Sequence, residues 1–150
     1  MGADQGVRDR LNGLPAPDLG PPSATEVADL STARVAIVTT AGLRPAGDIT
    51  LWGAGDGSFT VLPGDARDLQ LSHFSPNFDR AGFVADINVT YPVDRLGELA
   101  DEGVIGSVNH RHLSFMGAQL DLFTIIHDTG PAAARLLLDD EVDVVLLTPV

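Results

Sequence analysis

Arg34-Val35-Ala36-Ile37-Val38-Thr39-Thr40 is a β-branched, almost unbroken apolar run. Such a run fits a central strand covered on both faces, as parallel sheets require. It ends at Ala41-Gly42, where a glycine permits a tight exit turn. A second run, Asp143-Val144-Val145-Leu146-Leu147-Thr148-Pro149-Val150, reads as a buried parallel strand leading into the start of an active-site loop. In open α/β sheets ligands bind just past the carboxyl ends of the strands. The two runs together predict an α/β domain with a mainly parallel sheet, flanking helices and right-handed crossovers. With no loop or helix after the last strand, the expectation is a fold incomplete at its C-terminus, the front part of a larger enzyme.

Between these runs the pattern alternates. Residues 1–33 read as an extended arm, because Gly13, Pro15, Pro17, Gly20, Pro21 and Pro22 disfavour helix and inner strand. The α/β part then covers 34–150. Residues 43–58 are Gly-rich and loop-like. Phe59 to Leu62 is a short strand stopped by Pro63-Gly64, and Leu69 to His73 alternates like another. Residues 74–91 read as a mostly irregular excursion punctuated by Asp79, Asp86 and, just beyond it, Asp94. Pro92 marks a helix start, with Leu96 and Leu99 inward and Gly103 as its stop. Val104 to Val108 is a candidate strand, and His110 to Gly117 its exit. Leu120 to Asp140 is helical in pattern. Leu122, Phe123 and Ile126 share one face there, Ala134, Leu137 and Leu138 another, and Gly130-Pro131 kinks or restarts the helix.

Composition narrows the function classes. Nine Lys+Arg against 21 Asp+Glu give a net charge of −12, which argues against nucleic acid or an anionic membrane as partner. A solubilising acidic surface accounts for the charge. The chain has no cysteine, so disulfides, thiolate zinc sites and cysteine nucleophiles are excluded within it. The N-terminus lacks an apolar signal core, and the apolar runs are too short to span a bilayer. A cytoplasmic protein is expected.

Individual residues point to chemistry only weakly. Thr39-Thr40-Ala41-Gly42 ends the first strand, where hydroxyls and free amides suit a carboxylate or phosphate; on sequence alone a plain strand-to-loop turn is the favoured reading. His110 and His112 would share a face on a strand, yet no third metal ligand has a clear spacing, so no metal is expected. One histidine could act as general acid or base; His127 reads as structural or exposed. Asp86 near Asn88 suits either a substrate ammonium or side-chain bonds that fix the loop. Asp94 sits where a carboxylate favours a helix start. Ser114-Phe115-Met116-Gly117 lines a pocket or fills the core. Gly53-Ala54-Gly55-Asp56-Gly57 lacks the strand-then-helix context of a dinucleotide fingerprint, and neither a P-loop nor a hydrolase elbow is present.

Taken in order, these segments resemble the selenoprotein B family of glycine, sarcosine, betaine and D-proline reductases. RVAIVTTAG at Arg34–Gly42 resembles the family's first strand and turn. Val61-Leu62-Pro63-Gly64-Asp65 is similar to its short strand and Pro-Gly-Asp turn. Ser72-His73, Asp86-Ile87-Asn88 and Tyr91-Pro92-Val93-Asp94-Arg95-Leu96 follow its Ser-His, Asp-Ile-Asn and Phe-Pro-x-Asp-Arg-Leu series. Gly103–Gly106, Ser114–Gly117 and Asp143–Pro149 continue it. Tyr91 in place of the usual Phe, and Asp140-Glu141 where the family tends to have glycine, are departures.

The resemblance implies reductive cleavage of a C–N bond in a small amino acid or N-methylated derivative. In the family the strand resembling Val144–Thr148 leads into a selenocysteine or cysteine with a second cysteine after it, so the nucleophile is expected just after Val150 and no catalytic residue within these 150. A UGA selenocysteine codon read as a stop would account for this; an imposed boundary or a degenerate protein are the competing accounts. The resemblance further implies other reductase subunits as partners in an oligomer, one of them often carrying a pyruvoyl group that holds the substrate amine, with the selenolate attacking the α-carbon and a thiol resolving the product. Thr40, Gly42, His73, Asp86, Asn88, Ser114 and Thr148 are the expected substrate-pocket or scaffold residues. The alternatives are a non-catalytic assembly subunit and a small-ligand-binding α/β domain. Expressed alone, the chain is expected to be poorly stable or to associate, because its last strand lacks a covering helix.

Overall fold

The computed structural model describes residues 3–13, 18–21, 25–26, 29–73, 75 and 80–150. In chain order its elements are α1 (Ala3–Asn12), β1 (Arg34–Thr39), β2 (Leu43–Pro45), β3 (Phe59–Pro63), β4 (Leu69–Leu71), α2 (Arg80–Ala85), α3 (Val93–Asp101), β5 (Ser107–Val108), β6 (Arg111–Phe115), α4 (Gly130–Asp139) and β7 (Val144–Thr148). Two 3-10 turns, Leu30–Thr32 and Ile87–Val89, and a π turn, Ile125–Thr129, complete the description.

β1 is the axis of the main sheet. β7 runs parallel along one edge of it, in unbroken register from Val35↔Val144 to Thr39↔Thr148. The other edge is shared. β5 pairs with Arg34 and Val35, β6 with Val38 and Thr39, both parallel. β3 closes the sheet antiparallel to β6. β2 and β4 form a separate antiparallel pair. The class is therefore mixed α/β with a mainly parallel sheet.

Alternation along β1 divides the core, since successive strand side chains point to opposite faces. Val35 and Ile37 face a cluster with Leu62, Tyr91, Val93 and Leu96, which places α3 on that side. Ala36 faces Leu113, Phe115, Ala133 and Leu137, which places α4 on the other. α3 and α4 end in the same way. Gly103 donates to the Ala100 carbonyl and Val104 to that of Leu99; Glu141 donates to Leu138 and Val142 to Leu137. Each is a Schellman closure, which needs a left-handed residue after the helix. Gly103 has φ 72° and Glu141 φ 58°.

Several expectations change. Ala3–Asn12 form α1 where an arm without helix was expected; the prolines all lie beyond it, and Gln5 bonds Asp9 one turn on. Asp79 lies outside the described residues. The Gly-rich stretch 43–58 contains β2, made a strand by its partner β4 rather than by its own composition. Residues 74–91 hold α2 and a 3-10 turn. Strand β5 is confined to Ser107–Val108, and the stretch read as its exit is β6, with four of its five residues buried. On α4 the sheet-facing residues are Ala133 and Leu137, four apart. Leu138 is 70% exposed and Ala134 exposed too, because the π turn shifts the phase of the stripe. Phe123 and Ile126 also face outward. β7 is parallel as expected but not buried: its other edge has no partner among the described residues, and Leu147 is 68% exposed.

Candidate functional site

The carboxyl ends of β1, β6 and β7 lie together, and a glycine lets them meet. Gly117, just past β6, donates its N–H to the Thr40 carbonyl at 2.9 Å. A Cβ on Gly117 would stand 2.9 Å from the Thr40 carbonyl oxygen, 3.0 Å from His73 Nε2 and 3.1 Å from the Val150 carbonyl oxygen. Real Cβ atoms do not approach a carbonyl oxygen so closely without displacement, so the site requires glycine here. Ala118, next in the chain, has φ 57°, a left-handed conformation that costs a non-glycine residue about 1 kcal/mol.

Threonines fasten β7 to β1 at this end. Thr39 and Thr148 each donate a hydroxyl to the Thr90 carbonyl at 3.0 Å. The Thr40 amide donates to the Thr148 carbonyl at 3.2 Å, and the Thr40 hydroxyl accepts from the Val150 amide at 2.9 Å. Thr40 therefore holds the two residues beyond β7 against the end of β1.

Gly42 and His73 form the adjoining wall. Gly42, with φ 64°, donates to the Phe115 carbonyl and accepts from the Ser72 amide and from the indole N–H of Trp52. Its missing Cβ would touch Met116 Sδ and the His73 backbone at 3.2–3.4 Å. His73 is 5% exposed, and its Nδ1 accepts from the Ser75 amide. Burial, reinforced by the Arg80 charge, holds its imidazole below the ordinary histidine range, which keeps it neutral at pH 7. Ser114 is fully buried behind this wall, accepting the Leu43 amide at 2.7 Å. Thr40, Gly42, His73 and Thr148 are thus brought to one place, with Ser114 behind them.

Asp86 and Asn88 are placed in a different network. Asp86 caps the 3-10 turn by accepting the Asn88 backbone and side-chain N–H groups, both at 2.9 Å. Asn88 accepts the Asp94 amide and donates to its carboxylate, which Arg67 pairs at 2.7 Å. These bonds shape the loop that delivers Thr90. His110 and His112 do not share a face: the strand begins between them, His112 is fully buried, and the His110 side chain is 70% exposed. Among the described residues no cluster of three histidine or acidic side chains could hold a metal.

From Thr40 an apolar groove of about 890 Å³ runs along the α4 face, lined by Val38, Phe115, Met116, Ala133 and Leu137 among others. That volume is at the upper end for small-molecule pockets. The groove offers mainly apolar contact, with Thr40 and Gly117 of the strand-end cluster and the polar side chains of Thr25 and Gln119 in its lining.

A sequence profile of the glycine/sarcosine/betaine reductase selenoprotein B family matches residues 14–150. The chain belongs to that family. It is 39% identical over 134 residues to a D-proline reductase subunit gamma from Acetoanaerobium sticklandii, a match covering 88% of this chain and 53% of the relative. It is 29% identical over 143 residues to a sarcosine reductase complex component B subunit beta from Peptoclostridium acidaminophilum, covering 90% and 32% respectively. The chain spans about half the length, or less, of these family members. No solved structure matches it significantly. Family membership gives the strand-end cluster its context, since the family profile runs through β1, β6 and β7 alike. No helix among the described residues is long and apolar enough to cross a membrane.

Sequence reasoning named Thr39 and Gly117 only within their segments, not as site residues, and missed Thr90. A threonine doublet at a strand end was the available signal for Thr39. Nothing in the sequence marks a backbone carbonyl such as that of Thr90.

Proposed function

We propose that the chain forms the scaffold and part of the substrate end of a reductase that cleaves a C–N bond in a small amino acid or N-methylated derivative, using selenol or thiol chemistry. The observation that carries this reading is the convergence of three strand ends and His73 on Gly117 within a family-matched chain. Such a position is where α/β enzymes place their chemistry. Thr40, Gly42, His73 and Thr148 line the substrate end, and Ser114 supports it from beneath. A neutral buried imidazole beside a reacting centre can pass a proton. The chain contains no cysteine, and its relatives are longer. The redox group, a selenocysteine or cysteine with a resolving thiol, therefore belongs to polypeptide outside these residues. A pyruvoyl group on a partner subunit would supply an electrophile for the substrate amine; no residue described here is assigned to hold it. The reading implies a cytoplasmic, multi-subunit assembly.

A second reading, a non-catalytic assembly subunit, is favoured by the apolar surface at Leu138, Val145 and Leu147. Reconstitution separates the two. The assembled complex, given a dithiol reductant and glycine, sarcosine, betaine or D-proline in turn, is expected to release the corresponding amine or the ring-opened amino acid. His73→Ala should lower that rate at least tenfold. An unchanged rate would leave only the assembly reading.

A further inference from the structure

The β1 ladder has a gap, and a histidine side chain fills it. Asn109 donates to the Val35 carbonyl at 2.8 Å as β5 ends, and pairing resumes at Val38↔Leu113 on β6. Two more residues separate Val108 from Leu113 than separate Val35 from Val38. That excess is a bulge, and a bulge leaves backbone groups without ladder partners. The Ile37 N–H lies in the gap. It donates to His112 Nδ1 at 3.0 Å, so the imidazole takes the place of a backbone carbonyl. Ile37 and His112 are both 0% exposed, and a buried N–H is costly to leave unpaired.

This bond exists in one protonation state only. Nδ1 accepts when it is bare, which puts the single proton of the neutral ring on Nε2, a buried position with no hydrogen-bond partner among the described residues. A proton on Nδ1 would set two donors against each other and leave a charge in the core. The surroundings offer that charge nothing. Leu62 on β3 is the cross-strand neighbour, and the Tyr91 ring packs edge-on at 5.5 Å. The charged or titratable groups that face the ring are Tyr91, Arg67, itself paired with Asp94, and His110. Arg67 and His110 both oppose a further positive charge. Burial, the larger cause, pushes the imidazole down to about 4.

We propose that His112 is an acid-sensitive latch: its bare Nδ1 holds β6 to β1, and protonation opens that edge and releases the Met116–Gln119 loop from the strand-end site. The path is short. β6 carries His112, then Ser114 bonded to the Leu43 amide, and Gly117, two residues past its end, is bonded to the Thr40 carbonyl. The inference rests on the fold alone and stands whether or not the reductase reading does.

The test is hydrogen exchange at the Ile37 amide from pH 7.5 to 5 in the full chain, with histidine nitrogen shifts recorded in parallel. The expected result is a neutral Nε2–H tautomer at His112. Ile37 protection, corrected for intrinsic rate, should fall towards tenfold per pH unit below about 6.5. In His112→Asn, which keeps an acceptor atom at the δ position but cannot titrate, that dependence should vanish. Should this variant not fold, the wild-type tautomer and Ile37 profile decide. A protonated Nδ1 at neutral pH, pH-independent Ile37 protection, or the same pH dependence in His112→Asn would each overturn the latch. Trp52, the only tryptophan, reports on the site through its bond to the Gly42 carbonyl. Its acrylamide quenching should rise with acid in wild type and not in His112→Asn; parallel rises in both would also count against the proposal.

Discussion

At the residue scale the site depends on the absence of one methyl group. In Gly117→Ala the new Cβ meets the Thr40 carbonyl, His73 and the Val150 carbonyl at once. Two of these contacts are backbone, which cannot swing aside as a side chain would. The variant is expected to lose about 1–3 kcal/mol, typical of overpacking, and to expose Trp52. Thermal melts and tryptophan fluorescence check this, and a wild-type melt would mean that the strand ends are further apart than described. Glu141 makes the opposite case. It occupies the left-handed position that closes α4, where α3 has Gly103. Its ion pair with Arg34 spans 3.7 Å with the Glu141 side chain 86% exposed, so it contributes little. Glu141→Gly is therefore expected to stabilise the fold by about 1 kcal/mol, read as a higher melting temperature. The resemblance had marked this very turn as a place where the family tends to have glycine.

At the element scale, one buried carboxylate ties α4 to the bulge between β5 and β6. Asp140 ends α4 and is 8% exposed. It accepts Arg111 at 2.5 and 2.6 Å and Asn109 at 2.9 Å, while its own carbonyl accepts from Arg34. The Arg111 bond is the main cause, with Asn109 contributing, that draws its carboxyl down to about 2. A depressed carboxyl stabilises the fold above its unfolded value of 3.8, and that contribution disappears as pH falls from 3.8 through about 2. Asp140→Asn removes the charge that holds the fork. It should cost about 2 kcal/mol, or about 5 °C in melting temperature, and should flatten the acid limb of stability against pH. An unaltered acid limb would show that another carboxylate controls it.

The same scale explains what the sequence could and could not reveal. β1, β3, β7 and α3 were legible because their patterns are intrinsic: unbroken β-branched runs, or a Pro start and a Gly stop around an apolar stripe. β6 was not legible. Its His112 and Ser114 are polar and fully buried, and their partners, the Ile37 and Leu43 amides, lie 75 and 71 residues away in the chain. A buried polar residue satisfied by a distant amide looks like a loop residue until the fold supplies the amide. β2 is three residues long and exists through β4. The strand-end cluster was half legible, since Thr40, Gly42, His73 and Thr148 stand at turn or strand-end positions. Gly117 and the Thr90 carbonyl act through backbone, which side-chain chemistry does not reveal.

At the scale of the whole molecule, the chain supplies a sheet, two helix-backed cores and a strand-end cluster, but no thiol. Its relatives, named as reductase subunits, are roughly two to three times as long as their matched parts. The account therefore needs a redox group from polypeptide outside the 150 residues. The most direct measurement is the nucleotide sequence past codon 150. The account predicts a UGA codon, or an uninterrupted frame, followed closely by a cysteine codon. A different stop codon with no open frame behind it would contradict the account and leave a subunit that assembles without catalysing.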